Sequence, residues 1–237
     1  MNDKARAIVL AAGRGERMRP LTDTCPKPLL AVQGQPLMQW HLQALARAGV
    51  AQAVVNTAWL GEQIEAAFGA APAGGPRLTY SHEGRDFGGA LETAGGIARA
   101  LPLLDTCFWV VAGDVFMPGF DFPEAAYDAF ARGSKLAHLW LVPNPPHNSR
   151  GDFGLAPGGQ ALNQPPPEVP RLTYSTVGLY RRELFDGLPA GNPQGIKAPL
   201  APLLRQAMDN GQVSAQRWDG PWTDVGTPER LAQLNQG

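Results

Sequence analysis

The chain has only two cysteines, Cys25 and Cys107, in 237 residues, and they form no CxxC pair. A disulfide framework and a thiol-ligated zinc site are both excluded on that count. The four histidines, His41, His82, His138 and His147, lack the spacing of a zinc protease or a zinc finger. No apolar run approaches the length of a membrane span. The run from Ala7 to Ala12 is too short for a signal-peptide core and leads straight into charged residues. The expected compartment is therefore the cytoplasm, with no membrane partner. An excess of one charge is also missing: 20 Lys+Arg face 21 Asp+Glu, for a formal net charge of −1. That balance argues against a dedicated nucleic-acid binder but leaves room for a local basic pocket. There is no internal repeat and no interdomain linker.

What is present is an apolar content of 44%, too high for disorder, and a length suited to one core. Gly 28 and Pro 23 are scattered without period, which indicates many tight turns. Arg6 to Ala12 reads as a strand buried on both faces, as in a parallel sheet. The pattern then predicts a helix carrying Met38, Leu42, Leu45 and Ala46 and ending at Gly49. It continues with a strand over 51–56, a helix over 59–68, a strand over 77–81, a helix over 92–101 and a strand over 107–112. Glycines 95 and 96 weaken the 92–101 helix. This alternation predicts an α/β, Rossmann-like doubly wound sheet. In the second half, helices are expected over 121–132, 199–210 and 228–234. Strands are expected over 136–142, 171–181, 212–218 and 222–225, with turns and short hairpins through 143–170. One domain is expected over 1–237, in two halves, 1–115 and 116–237.

The strongest chemical feature is the loop after the first strand, Gly13-Arg-Gly15-Glu16-Arg17-Met18-Arg19-Pro20. Glycines there let backbone N–H groups approach an anion. The dinucleotide fingerprint fails at Met18, where a third glycine is needed, and no Gly-Lys-Ser/Thr of a Walker loop occurs. Arg14, Arg17, Arg19 and Lys27 together point to a polyphosphate. Asp114 follows a buried strand, where open α/β sheets bind ligands, and Asp224 ends a second short strand. Two carboxylates with phosphate oxygens and water suit Mg²⁺.

Leu10-Ala-Ala-Gly-Arg-Gly-Glu-Arg-Met-Arg-Pro-Leu-Thr22, followed by Pro26-Lys-Pro-Leu29, resembles the signature of the sugar-phosphate nucleotidylyltransferases. The resemblance continues through Gly49, Asn56, Leu91-Glu-Thr-Ala-Gly-Gly96, Gly113-Asp114 and Trp222-Thr-Asp-Val-Gly-Thr227. It implies the nucleotide-diphospho-sugar transferase fold and a Mg²⁺-dependent reaction of a nucleoside triphosphate, UTP or another, with a sugar 1-phosphate. It also implies roles. Arg17 and Lys27 would hold the triphosphate beside Gly13, Gly15 and Glu16. Glu83, Gly88, Glu92 and Thr93 would lie near base and ribose. Asp114 and Asp224 would hold the metal, and Lys197 would grip the sugar phosphate. The Glu-Lys-Pro element of many relatives is absent from Leu162-Asn-Gln-Pro-Pro-Pro-Glu168. Asn144-Pro-Pro-His-Asn-Ser-Arg-Gly-Asp-Phe153, Tyr174-Ser-Thr-Val-Gly178 and Ile196-Lys-Ala-Pro-Leu-Ala-Pro-Leu-Leu-Arg205 instead resemble the N-acetylmuramate α-1-phosphate uridylyltransferases of peptidoglycan recycling. That implies sugar contacts from Asn144, Arg150, Asp152, Thr176 and Gly178, with Arg150 meeting the lactyl carboxylate. Position 94 is Ala where that subgroup carries Gly. Glucose- or mannose-1-phosphate nucleotidylyltransferases and a non-catalytic nucleotide-sugar sensor are the alternatives.

Overall fold

The computed structural model describes residues 5–236. Its frame is a nine-stranded mixed sheet. The central strand Ala5–Ala11 pairs in parallel with Gln52–Thr57 on one side and Leu104–Ala112 on the other. Arg77–His82 extends the parallel part beyond Gln52–Thr57. Alternation sends Ala7, Val9 and Ala11 to one core and Ile8 to the other, so the strand has no polar face. On the first face pack Met38, Leu42 and Leu45 of helix Leu37–Arg47, with Ile64 and Phe68 of Gly61–Phe68. On the second pack Ala94 and Ile97 of helix Glu92–Ala100, with Leu200, Leu204, Ala207 and Met208 of Leu200–Asp209. Helices thus cover both faces, which is the doubly wound arrangement expected.

The second half joins the same sheet. The long strand Arg171–Arg181 runs antiparallel to Leu104–Ala112, and its other edge carries Ala137–Val142. Val213–Arg217 then adds in parallel to Ala137–Val142. The turn-rich segment holds the short hairpin Phe153–Leu155 with Ala161–Leu162, paired to the start of Arg171–Arg181. A register irregularity lies between Tyr174 and Gly178 of that long strand. It is a site where a strand re-aims its side chains. A separate two-stranded ladder pairs Val115–Phe116 with Thr223–Asp224. No helix among the described residues is long and apolar enough to cross a membrane.

Helix Glu92–Ala100 tolerates Gly95 and Gly96 because both make close approaches. A Cβ at Gly95 would lie 2.4 Å from the carbonyl oxygen of Ile196. One at Gly96 would lie 2.4 Å from Oε1 of Glu83 and 2.8 Å from Nδ2 of Asn56. These glycines are packing requirements rather than weak points of the helix.

Candidate active site

Two adjoining clefts open at the carboxyl ends of the parallel strands, as expected for this sheet type. The first, about 400 Å³, brings together Gly13, Gly15, Glu16, Arg17, Lys27, Glu83, Glu92, Thr93, Asp114 and Gly226. The second, about 570 Å³, is lined by Asp152, Tyr174, Thr176 and the 199–205 face, among others. Leu10, Glu92, Thr93 and Ala112 wall both.

The glycine loop owes its shape to its own side chains. Gly15 has φ 68, and its Cβ would sit 3.0 Å from Thr22 Cγ2. Thr22 Oγ1 donates to the Gly15 carbonyl at 2.8 Å. Over Gly13, by contrast, a Cβ would meet nothing within 4 Å, so the backbone there faces open cleft. The four cations expected to serve one polyphosphate divide into two pairs. Arg14 stacks on Trp59 at 3.8 Å and donates to the Thr22 carbonyl and to Asp23, both at 2.8 Å. Arg19 donates to the same Asp23 oxygen at 2.9 Å. The Arg14 hydrogen bond, with help from Arg19, holds the Asp23 carboxyl below its ordinary range. Arg14 and Arg19 therefore brace the loop. Arg17 and Lys27 are left to line the cleft.

Lys27 is buried, and its Nζ donates to Oδ2 of Asp114 at 2.5 Å. The Val115–Phe116 ladder places Val115 opposite Asp224, and the Val225 N–H donates to the Asp114 carbonyl at 3.0 Å. The two aspartates, far apart in sequence, thus meet at this ladder, Asp224 within it and Asp114 in the turn just before it. A Cβ on Gly226 would lie 3.1 Å from Oδ2 of Asp224 and 3.4 Å from a terminal nitrogen of Arg17. Asp224 Oδ1 also pairs with Arg230 and, at 2.7 Å, with His147 Nε2. These partners were not apparent from sequence, because Arg230 and His147 come from a terminal helix and a distant turn. His41, buried in helix Leu37–Arg47, bonds the Val115 carbonyl through Nε2 at 2.8 Å and so anchors the ladder. Burial pulls its pKa down to about 4.

The donor set suits a hard divalent cation. Asp114 lines the first cleft, whereas Asp224 lines neither and stands behind Gly226, which does; both carboxylates are partly exposed and leave coordination positions for water and phosphate oxygens. Among the described residues no group of three or more His, Cys, Asp or Glu side chains forms a metal cage. Mg²⁺ does not need one when substrate phosphates complete its shell.

Glu83 lines the first cleft, yet its carboxylate is committed. It accepts from Asn56 Nδ2 at 2.6 Å and from the Leu91 N–H at 2.7 Å, while Asn56 Oδ1 accepts from the Ala11 N–H at 2.8 Å. Burial, the largest influence, raises its pKa against those bonds. This buried chain ties the first strand to the start of helix Glu92–Ala100. Gly88, φ 76, is the left-handed C-cap of helix Glu83–Phe87 and lines neither cleft.

In the second cleft, Asp152 accepts from the Tyr174 N–H at 2.8 Å and from Asn148 Nδ2 at 3.2 Å. Thr176 stands at the strand irregularity with φ 65, and Glu92 has φ 59. Side chains other than glycine held there cost about 1–3 kcal/mol and concentrate at functional sites. The Thr176 hydroxyl is buried without a partner. Asn144 instead closes its own loop: its Oδ1 accepts from Thr173 Oγ1 at 2.9 Å, and its Nδ2 donates to the Arg171 carbonyl at 3.0 Å. Gly178 is buried between the His138 carbonyl and the rings of Tyr174 and Tyr180. Arg150 and Lys197 are exposed, and Asn144, Arg150, Gly178 and Lys197 line neither cleft. Lys197 is nonetheless firmly carried. The Ala198 carbonyl accepts from the Ala94 and Gly95 N–H groups at 2.9 and 3.1 Å. Buried Asn192 brackets Ile196 through both its N–H and its carbonyl. Asn192 carries no chemical motif, so sequence reasoning passed it over.

The chain matches the nucleotidyl transferase family over residues 6–237. It is 52% identical over 233 residues to the N-acetylmuramate alpha-1-phosphate uridylyltransferase of Neisseria meningitidis, covering 96% of each chain. It is 33% identical to the enzyme of that name from Caulobacter vibrioides, covering 94% of this chain and 92% of the relative. A UTP--glucose-1-phosphate uridylyltransferase from Synechocystis is 30% identical and is covered over 60% of its length. Among solved structures, one described as a glucose-1-phosphate thymidylyltransferase from Bacillus anthracis superposes with TM-score 0.76 at 19% identity. That match covers 98% of this chain and 94% of the other and concerns the fold alone. With a family match over residues 6–237 and 52% identity across 96% of both chains to a named uridylyltransferase, the chain belongs to the nucleotidyl transferase family of sugar-1-phosphate nucleotidyltransferases.

Proposed function

We propose that the protein transfers a uridylyl group from UTP to N-acetylmuramic acid α-1-phosphate, in the cytoplasm, as a step of peptidoglycan recycling. The observation that carries this is the similarity at 52% identity over nearly the whole of both chains to an enzyme named for that reaction. The two adjoining clefts give it a physical basis. An oxygen of the sugar 1-phosphate attacks the α-phosphorus of UTP. The bond to the bridging oxygen breaks, and pyrophosphate leaves with that electron pair. The nucleophile is already an anion, so no general base is required; the demand is for alignment and charge neutralisation.

The first half, 1–115, is assigned the nucleotide. Arg17 and Lys27 hold the triphosphate over the open backbone of Gly13 and Gly15, with Glu16 at the rim. Glu92 and Thr93 face base and ribose, where Glu83 acts by fixing the wall and Gly88 by ending the helix that carries it. The second half, 116–237, is assigned the sugar, with Asp152 and Thr176 lining its cleft and Asn144 and Gly178 shaping it. Lys197 lies outside the lining of both clefts, but the next residue, Ala198, is pinned to the start of helix Glu92–Ala100 that walls them, and from there Lys197 is assigned the grip on the sugar phosphate. Asp114 and Asp224 would hold Mg²⁺, which when bound neutralises charge on the phosphates. Lys27, in contact with Asp114, is then free to serve the triphosphate. Pyrophosphate release, measured across UTP, dTTP and GTP against N-acetylmuramic acid, glucose and mannose 1-phosphates, tests the assignment. Preference for a neutral hexose phosphate would overturn it, and no release with any pair would favour a sensor.

A further inference from the structure

An acid sugar carries a carboxylate that its binding cleft has to neutralise. Arg150 lines neither cleft. Within the second cleft, Arg205 is the single cation among the described lining residues. It lies on helix Leu200–Asp209, where Ala201, Leu204 and Arg205 are spaced i, i+3, i+4 and share one face. All three line that cleft. Ala201 keeps the face low, and buried Leu204 fixes the helix against the sheet. Arg205 itself is exposed and has no ion-pair or hydrogen-bond partner among the described residues. The cleft's two carboxylates do not claim it: Asp152 is engaged by the Tyr174 N–H and Asn148, and Glu92 stands at the boundary with the first cleft. A guanidinium with free donors, in a largely apolar cleft, is suited to a planar carboxylate, which it can meet with two parallel hydrogen bonds.

We infer that Arg205 selects the acceptor by binding a carboxylate carried on the sugar. This rests on the proposed transfer to N-acetylmuramic acid α-1-phosphate and adds the residue that would set its specificity. The unpartnered Thr176 hydroxyl supplies a neutral hydrogen-bonding group in the same cleft.

The test pairs a change in the protein with a change in the substrate. The acceptors are N-acetylmuramic acid α-1-phosphate and its lactyl amide, which keeps the shape and removes the charge. Wild-type enzyme is expected to favour the acid over the amide by about 10- to 100-fold in kcat/KM, the range for a lost charge-assisted hydrogen bond. In Arg205→Gln that preference should fall to near unity, with KM for UTP unchanged. Arg205→Lys should restore part of it, since it keeps the charge without the fork. A preference as large in Arg205→Gln as in wild type overturns the inference and leaves the transfer reaction standing. Loss of the preference in Arg150→Ala alone would move the carboxylate contact there and also overturn it. A wild-type enzyme that uses neither acceptor, while turning over a neutral hexose phosphate, overturns the inference and the proposed function together.

Discussion

Replacing Gly96 by Ala sets two effects against each other, and the structure decides which wins. In an ordinary helix interior the change stabilises by about 1 kcal/mol, because glycine gives up more backbone freedom on folding. Here the added methyl would stand 2.4 Å from Oε1 of Glu83 and 2.8 Å from Nδ2 of Asn56. Neither atom is the free end of a mobile side chain. Glu83 is fully buried and holds the Asn56 amide and the Leu91 N–H, and Asn56 holds the Ala11 N–H. Overpacking a core site costs roughly 1–3 kcal/mol. Disturbing one hydrogen bond to a charged group adds about 1.5–3 kcal/mol. The expected net loss is about 2 kcal/mol or more, which for a chain of this size lowers Tm by roughly 4–8 °C. Scanning calorimetry of the variant beside Gly187→Ala, whose Cβ would meet nothing within 4 Å, separates the clash from a general glycine effect. The same displacement carries Glu92 and Thr93 away from the clefts, so KM for UTP should rise. A Gly96→Ala protein that melts at or above the wild-type temperature would refute the reasoning.

Asp114→Asn or Asp224→Asn should lower kcat about a hundredfold or more, the effect of losing roughly 2.7–4 kcal/mol of electrostatic stabilisation; steady-state rates across a Mg²⁺ titration and in excess chelator check it, and full activity in chelator would exclude the metal assignment. Lys197→Ala should raise KM for the sugar 1-phosphate about tenfold or more while leaving the Kd of UTP, read by calorimetry, unchanged. Arg14→Ala should loosen the glycine loop by losing the Trp59 stack and the bonds to Thr22 and Asp23, raising KM for UTP less than Arg17→Ala does; a larger effect than Arg17→Ala would show that Arg14 meets phosphate directly. His41 is depressed from 6.5 to about 4 in the folded protein, so its contribution to stability is complete above pH 6.5. As pH falls toward 4 the unfolded chain binds a proton that the folded one refuses, and about 3 kcal/mol should be lost. Urea melts between pH 7 and 4 should show a shallower decline in His41→Gln, whose amide can still donate to Val115.

Most elements were legible because their cause is local. The strand Arg171–Arg181 and the helix Pro228–Leu234 have the boundaries their patterns predict, and Ala5–Ala11 and Leu37–Arg47 differ only at their ends. Apolar period and capping residues act within a few positions, so a sequence carries them openly. The short Val115–Phe116 and Glu83–Phe87 pieces were not legible, since neither is long enough to show a period.

For the site, the sequence by itself determined the residue types: a glycine loop with cations, two aspartates after apolar strands, and the family they spell. Only the tertiary structure decided which of these groups line the clefts and which brace the others. It turned Arg14 and Arg19 onto Asp23 and left Arg17 and Lys27 to the cleft. It made Gly95 and Gly96 contact surfaces for Ile196 and Glu83, and it assigned Asp224 two partners, Arg230 and His147, from distant segments. It put Arg205 in the second cleft and Arg150 outside it. The physical reason is that charge and hydrogen bonding act over a few ångströms in space. Which groups come that close is fixed by sheet order and helix packing, not by their separation along the chain.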